Sequence, residues 1–312
     1  MVTVAPAAYP EVFKSFPFER GSMDAEVIRT RVGSVQRRSF DAGIAADQRL
    51  QDRFLFEFYC AETVLTDNAG VFEWLDVCET VRAAEGGYTF VELGAGYARW
   101  AVIAYFLATR FRHLPTRLVC VEPEPTHYEW VLQNLRDNGI RPGDHDVREG
   151  AVSARDGYVL LDMGGGEPSA CYGQSVVGRL EPGLWDRLRL KLGPRRRIGS
   201  RGNGSEAGKA CVKAYSLEAL LRRVSRVDLI HMDIQGSELD VLSAAAAVID
   251  AKVKRLHVGT HGVAIEAGLR DLLGRHGWTC LHDLPGQGRR ATEFGEMDFD
   301  DGIQTWVNPR LG

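Results

Sequence analysis

The chain has 312 residues, of which 45% are apolar and 26% charged, and a net charge of −4. That composition supports a sizeable buried core and excludes disordered, collagen-like and low-complexity classes. The slightly acidic balance argues against a whole-protein electrostatic grip on nucleic acid, and no apolar stretch reaches the roughly 18 residues of a membrane span.

The start, MVTVAPAAYPEVFKSF, lacks a positive region followed by a long apolar core, so no secretory signal is read. The six cysteines (60, 78, 120, 171, 211 and 280) are scattered singly, with no CxxC and no zinc-like spacing. They read as reduced core thiols, and the chain as a cytoplasmic protein with no membrane or nucleic-acid partner.

Residues 1–85 read as an N-terminal helical cap. Helical patterns fall near Met23–Val32, Ala46–Thr63 and Val71–Ala84, with no strand signal among them. Residues 86–312 read as a second unit, in which strands alternate with helices. Tyr88–Leu93 is the first strand, followed by helix Ala98–Phe111 and strand Arg117–Val121. Helix His127–Asn138 follows, with Thr126 as its expected N-cap and Glu124 on the solvated side.

Asp146–Ser153 and Tyr158–Asp162 read as short strands. Helix Ser216–Val224, strand Val227–Ile234, helix Ser237–Ala251, strand Val253–Gly259 and helix Ala264–His276 continue the alternation. Trp278–Asp283 and Gly302–Asn308 have no helix between them and read as an antiparallel pair at one sheet edge. The fold class is therefore α/β, with a doubly wound, mainly parallel sheet. Gly164–Gly208 interrupts the pattern as a long loop and carries the basic run Arg195-Arg196-Arg197, which could contact an anionic substrate or carrier.

Four motifs carry chemistry. Glu92-Leu93-Gly94-Ala95-Gly96-Tyr97-Ala98 sits at a strand-to-helix junction, where glycines allow close backbone approach to a ligand. A dinucleotide fingerprint wants a small residue where Arg99 stands, which disfavours a nicotinamide oxidoreductase. The motif instead resembles motif I of S-adenosylmethionine (SAM)-dependent methyltransferases, whose glycines face the methionine part of the cofactor. Glu122-Pro123 ends the second strand, where a carboxylate can accept both ribose hydroxyls of a nucleoside. Arg148–Ser153 closes the next strand. By the same resemblance, Ala151 and Val152 would form an adenine wall, and Glu149 or Asp146 would accept from the adenine amino group.

The most specific stretch is Val227–Leu242, a buried strand that ends near Asp233 and continues through Gln235-Gly236-Ser237-Glu238 into an apolar helix. Its acid–x–x–Gly–x–Glu pattern resembles the FkbM family of SAM-dependent methyltransferases, and with the other three motifs the likeness covers about residues 85–285. The family usually has Lys at the position of His231 and Glu at that of Gln235. Residues two apart in a strand share a face, which puts His231 beside Asp233, while His257 and His261 lie at the next strand end.

The resemblance implies a seven-stranded methyltransferase-like sheet. It also implies transfer of the SAM methyl group to a hydroxyl of a natural product or sugar moiety. Asp233, His231 and His261 would then remove the hydroxyl proton or position the acceptor. Glu92, Gly94, Ala95, Gly96, Glu122, Pro123, Glu149, Ala151 and Val152 would hold the cofactor. The same Asp/His groups could hold a divalent metal. A SAM-fold module that binds a partner without catalysis is the remaining alternative, because one fold hosts many functions. Oligomeric state is not readable from the sequence.

Overall fold

The structure is a computed structural model and describes residues 9–42, 47–64, 66, 68–162, 175–180 and 209–311. The N-terminal segment opens with a short helix, α1 (Glu11–Lys14), followed by three strands, β1 (Ser22–Met23), β2 (Val27–Arg29) and β3 (Val35–Arg37). They form an antiparallel sheet in the order β1-β2-β3. This corrects the helical expectation for Met23–Val32. The local cause is Asp24, whose Oδ1 accepts from the N–H groups of Glu26 and Val27 (2.8 Å each) and reverses the chain in an Asx turn. The expected helices further on are present as α2 (Gln48–Cys60) and α3 (Val71–Ala83).

Next come β4 (Tyr88–Leu93), α4 (Arg99–Phe106), β5 (Thr116–Glu122) and α5 (Pro125–Asp137). The N-cap of α5 is Glu124, not Thr126: its buried carboxylate accepts from the His127 N–H at 2.7 Å, and Pro125 occupies the first turn. Burial at that cap also overturns the solvated placement of Glu124.

Beyond it lie β6 (Asp146–Glu149), β7 (Ala151–Val152), β8 (Gly157–Asp162), β9 (Ser175–Leu180), β10 (Lys209–Tyr215) and α6 (Leu217–Leu221). Strand β9 falls inside the segment read as one long loop, and β7-β10-β8-β9 make a second, four-stranded sheet that the sequence pattern did not reveal. The rest of that loop, including Arg195–Arg197 and Cys171, lies outside the described residues. The chain ends with β11 (Leu229–Met232), α7 (Glu238–Ala244), α8 (Ala246–Lys252), β12 (Arg255–Thr260), α9 (Val263–Arg275), β13 (Thr279–Leu284), β14 (Gly288–Thr292), β15 (Gly295–Phe299) and β16 (Gly302–Val307).

The central sheet has seven strands in the order β13-β16-β12-β11-β4-β5-β6. The run from β12 to β6 is parallel, and β16 pairs antiparallel with both β12 and β13, as expected for that edge. The hairpin of β14 and β15, inserted between the two edge strands, was not legible. Each sheet face has its own apolar core, because alternate side chains point to opposite faces. Phe90, Leu118 and Leu229 pack under α2–α5 and the N-terminal segment. Val91, Val119, Ile230 and Leu256 pack under α6–α9.

The first core draws on both sides of residue 85: Phe58, Trp74 and Trp100 meet in edge-to-face contacts, with ring centroids 6.1 and 5.6 Å apart. Cys60, Cys78, Cys120 and Cys280 are free thiols. Among the described residues, no helix is long and apolar enough to cross a membrane.

Candidate active site

The chain leaves β4 toward β5 and β6 on one side of it, and later returns to place β11 and β12 on the other. In a doubly wound sheet such a reversal opens a crevice at the carboxyl ends of the adjacent strands, here β4 and β11. A cavity lies there. Its first wall is the glycine loop after β4. Gly94, Gly96 and Ala98 have φ values of 76°, 56° and 62°, so the chain makes three left-handed steps before α4 begins. The loop is fixed from below by the N–H groups of Gly94 and Ala95, which donate to the Val121 carbonyl at 3.0 and 3.1 Å. At Gly94 the backbones of two strand ends nearly touch: a Cβ there would lie 1.8 Å from the Asp233 carbonyl oxygen.

The second wall is the end of β5, with Glu122 and Pro123. Both Glu122 oxygens are held by backbone, Oε2 by the Gly96 N–H at 2.7 Å and Oε1 by the Glu124 N–H at 2.8 Å. Burial pushes the Glu122 carboxyl up to about 8, although those two N–H groups pull it down. Ala151 and Val152 of β7 make the third wall, joined by Leu161 and Val176 from the second sheet. Val176 was missed because the strand that carries it has no readable signal, and Leu161 because its strand, although read at Tyr158–Asp162, carries no motif that marks a ligand-facing residue. The fourth wall is Asp233, Ile234 and Gln235.

That fourth wall explains the acid–x–x–Gly–x–Glu pattern. Gln235 and Gly236 are left-handed (φ 52° and 102°) and turn the chain from β11 into α7. The fully buried Glu238 accepts from the Gly236 N–H at 3.1 Å and holds His261 Nδ1 at 2.8 Å. His261 Nε2 then faces Asp233 Oδ1 at 3.4 Å and Asp301 Oδ2 at 3.7 Å. Burial opposes a charged His261, but the Glu238 hydrogen bond and the two aspartates outweigh it and raise its pKa. Burial raises the Asp233 carboxyl, with His261 and a hydrogen bond from Gln235 (2.9 Å) as counterweights. Asp233 and His261 thus form a carboxylate–imidazole pair at the cavity, with Glu238 setting the ring orientation.

The remaining site candidates sit elsewhere. Ala95 is buried behind the loop, and the half-buried Glu149 ends β6 without lining the cavity. Asp146, the alternative adenine acceptor, is engaged by Arg148 at 2.6 Å through both oxygens. Glu92 is buried beneath the loop, where it accepts from the N–H groups of Trp100 and Ala101 (3.3 and 2.9 Å) at the start of α4. Burial raises its carboxyl to about 8 against those hydrogen bonds.

His231 does not join Asp233. The strand ends at Met232, so strict alternation stops one residue before Asp233. His231 stays in register with Glu92 on one side and His257 on the other, buried against the α3–α4 face.

The loop is also tied to the N-terminal segment, which no motif suggested. Asp41, fully buried, accepts from Tyr97 Oη at 2.9 Å and from Arg99 Nη2 at 2.9 Å, and also from Gln36 Nε2. Tyr97 Oη lies 2.8 Å from Tyr59 Oη, and Gln51 donates to the Asp41 carbonyl at 2.9 Å. Arg99, which disfavoured the dinucleotide motif, thus points to the N-terminal segment. Asp41→Asn would leave the Arg99 guanidinium without its counter-charge. Removing one member of a fully buried pair costs about 3 kcal/mol or more, and the partial exposure of Arg99 lowers the expected loss here to about 1–3 kcal/mol. Denaturant titration is expected to show that loss. A loss under about 1 kcal/mol would mean that the network is dispensable.

Residues 94–271 match the model of the Methyltransferase FkbM domain. A "Putative methyltransferase" of Jannaschia sp. (strain CCS1) is 29% identical over 218 residues, which cover 70% of this chain and 72% of the relative. Among solved structures, a precorrin-6y C5,15-methyltransferase from Geobacter metallireducens aligns at 10% identity and TM-score 0.40, covering 75% of this chain and 86% of that one. A methyltransferase FkbM from Methylobacillus flagellatus aligns at 14% identity and TM-score 0.38, covering 71% and 44% respectively.

Proposed function

The chain belongs to the FkbM methyltransferase family, and from that premise we propose that it is a SAM-dependent O-methyltransferase acting on a hydroxyl of a natural product or sugar moiety. The observation that carries this reading is the convergence, at one sheet reversal, of a glycine cradle, a backbone-clamped carboxylate, an apolar slot and a carboxylate–imidazole pair. These residues fit SAM: Gly94 and Gly96 leave backbone open toward the methionine part, and Glu122 can accept from ribose hydroxyls. Ala151, Val152, Leu161 and Val176 offer an apolar slot for adenine.

When bound, SAM supplies a methyl carbon made electrophilic by its sulfonium. The chain's own contribution is alignment and proton removal. Asp233 Oδ would accept the proton of the acceptor hydroxyl as that oxygen takes up the methyl group. His261, steered by Glu238, shares the charge on Asp233 and holds its orientation.

The test is transfer of labelled methyl from SAM to a panel of hydroxylated natural products and glycosides. Asp233→Asn is expected to lower kcat about 10²–10⁴-fold with SAM affinity nearly unchanged. Label found only on nitrogen or carbon acceptors would retire the hydroxyl reading. Unchanged kcat in the variant would retire Asp233 as the base.

A further inference from the structure

A polar row crosses the central sheet on the α3–α4 face. In register from β5 to β16 it runs Cys120, Glu92, His231, His257 and Thr305. Buried polar groups normally find partners, so each unpaired one calls for a reason. Glu92 has backbone N–H groups, and Thr305 donates to Asp76 Oδ2 at 2.6 Å. His231 is different: it is 7% exposed, and its Nδ1 is fully enclosed with no hydrogen-bond partner among the described residues. Above it, Glu73 of α3 presents an equally enclosed Oε2, likewise without a partner among the described residues. The His231 ring lies parallel to that of His257, with centroids 5.1 Å apart and an 8° interplanar angle. Donor atoms of Glu73, His231 and His257 all fall within 4.8 Å of one another.

We infer that Glu73, His231 and His257 form a divalent metal site of the imidazole-preferring transition-metal class, with zinc and iron(II) as its natural occupants. Two imidazoles and one carboxylate suit those ions, whereas magnesium and calcium prefer oxygen-only shells. Ligand bonds of about 2.1 Å bring donors to roughly 3.4 Å from one another, a contraction that small side-chain rotations supply.

The surrounding shell is already built. His257 Nδ1 donates to Asp76 Oδ2 at 2.7 Å, which leaves Nε2 as the ligating atom, and Asp76 is itself held by Arg255 at 2.9 Å and by Thr305. A carboxylate behind a histidine is the usual device that orients a metal-binding imidazole. The ion would pin Glu73 of the N-terminal segment to two strands of the sheet, just below the site where Asp233 lies. This inference needs only those three side chains and does not rest on SAM binding.

The test is titration of tag-free, chelator-stripped full-length protein with Co²⁺, followed by competition with Zn²⁺. One Co²⁺ per chain is expected, with visible d–d absorption that Zn²⁺ abolishes and a rise in Tm. Glu73→Gln and His231→Ala are expected to weaken binding at least 100-fold. Asp76→Asn, which keeps all three ligands, should weaken it about 10–100-fold. Circular dichroism of each variant checks folding, and SAM affinity measured on the same samples reports separately on the methyltransferase reading. Absence of Co²⁺ binding by folded wild type, or binding unaffected by Glu73→Gln and Asp76→Asn, overturns the site. Binding lost only in His261→Ala also overturns it, by moving the ion to the Asp233–His261–Asp301 group.

Discussion

Gly94→Ala is expected to destabilise the protein by about 2–5 kcal/mol and to eliminate SAM binding. Two costs add: a left-handed φ of 76° strains any residue with a Cβ, by about 1–2 kcal/mol, and the new methyl group would stand 1.8 Å from the Asp233 carbonyl oxygen. That contact is with backbone, so β4 and β11 must separate, at the cost of about 1–3 kcal/mol seen for overpacked cores. Gly86 is the control, because its φ is 72° but no atom of the described residues lies within 4 Å of an added Cβ. Gly86→Ala should therefore lose only the conformational share, about 1 kcal/mol. Equal losses at the two positions, read by denaturant titration, would show that the close approach of the strands carries no energetic weight.

Calorimetric titration of Glu122→Ala with SAM is expected to show affinity reduced about 100-fold or more. Truncation frees the Gly96 and Glu124 N–H groups that shape the loop and, in the proposed mode of SAM binding, removes the acceptor for ribose hydroxyls.

A pH series separates the two effects. Without ligand the Glu122 carboxyl sits near 8, above the ordinary value of 4.5. Its folded-state value is raised, so its contribution to stability is full below pH 4.5 and is lost as pH rises toward and through 8. Ribose hydroxyls favour the ionised form that burial penalises, so SAM affinity should rise by an order of magnitude or more from pH 6.5 to pH 9. Glu122→Gln keeps the size of the side chain and should flatten that rise. A rise that persists undiminished in Glu122→Gln would assign the titration to another group, with Asp233 first in line.

Much of the site was legible because its signals are local. Gly94, Gly96, Glu122, Pro123, Ala151, Val152 and Asp233, all singled out in the sequence, line one cavity. Each sits at the end of an apolar strand, where chain direction and ligand access are set within a few residues. His231 was misplaced because alternation holds only inside a strand, and β11 stops before Asp233. The β1–β3 sheet, β9, β10 and the β14–β15 hairpin went unread because short strands with half-exposed faces leave weak periodicity.

By itself, then, the sequence determined the alternating α/β order, the antiparallel edge, the glycine turn and the strand-end carboxylates. These depend on residue type at neighbouring positions: apolar runs that bury strands, and residues that tolerate positive φ. Only the tertiary structure decided which distant groups share an environment. Asp41 meets Arg99 across 58 residues. His257 meets Asp76 across 181 residues. Glu73, His231 and His257 gather from one helix and two strands. Such contacts are set by sheet order and by which face each helix covers, and burial in those places turns ordinary carboxylates and imidazoles into groups with shifted protonation and unmet donors or acceptors.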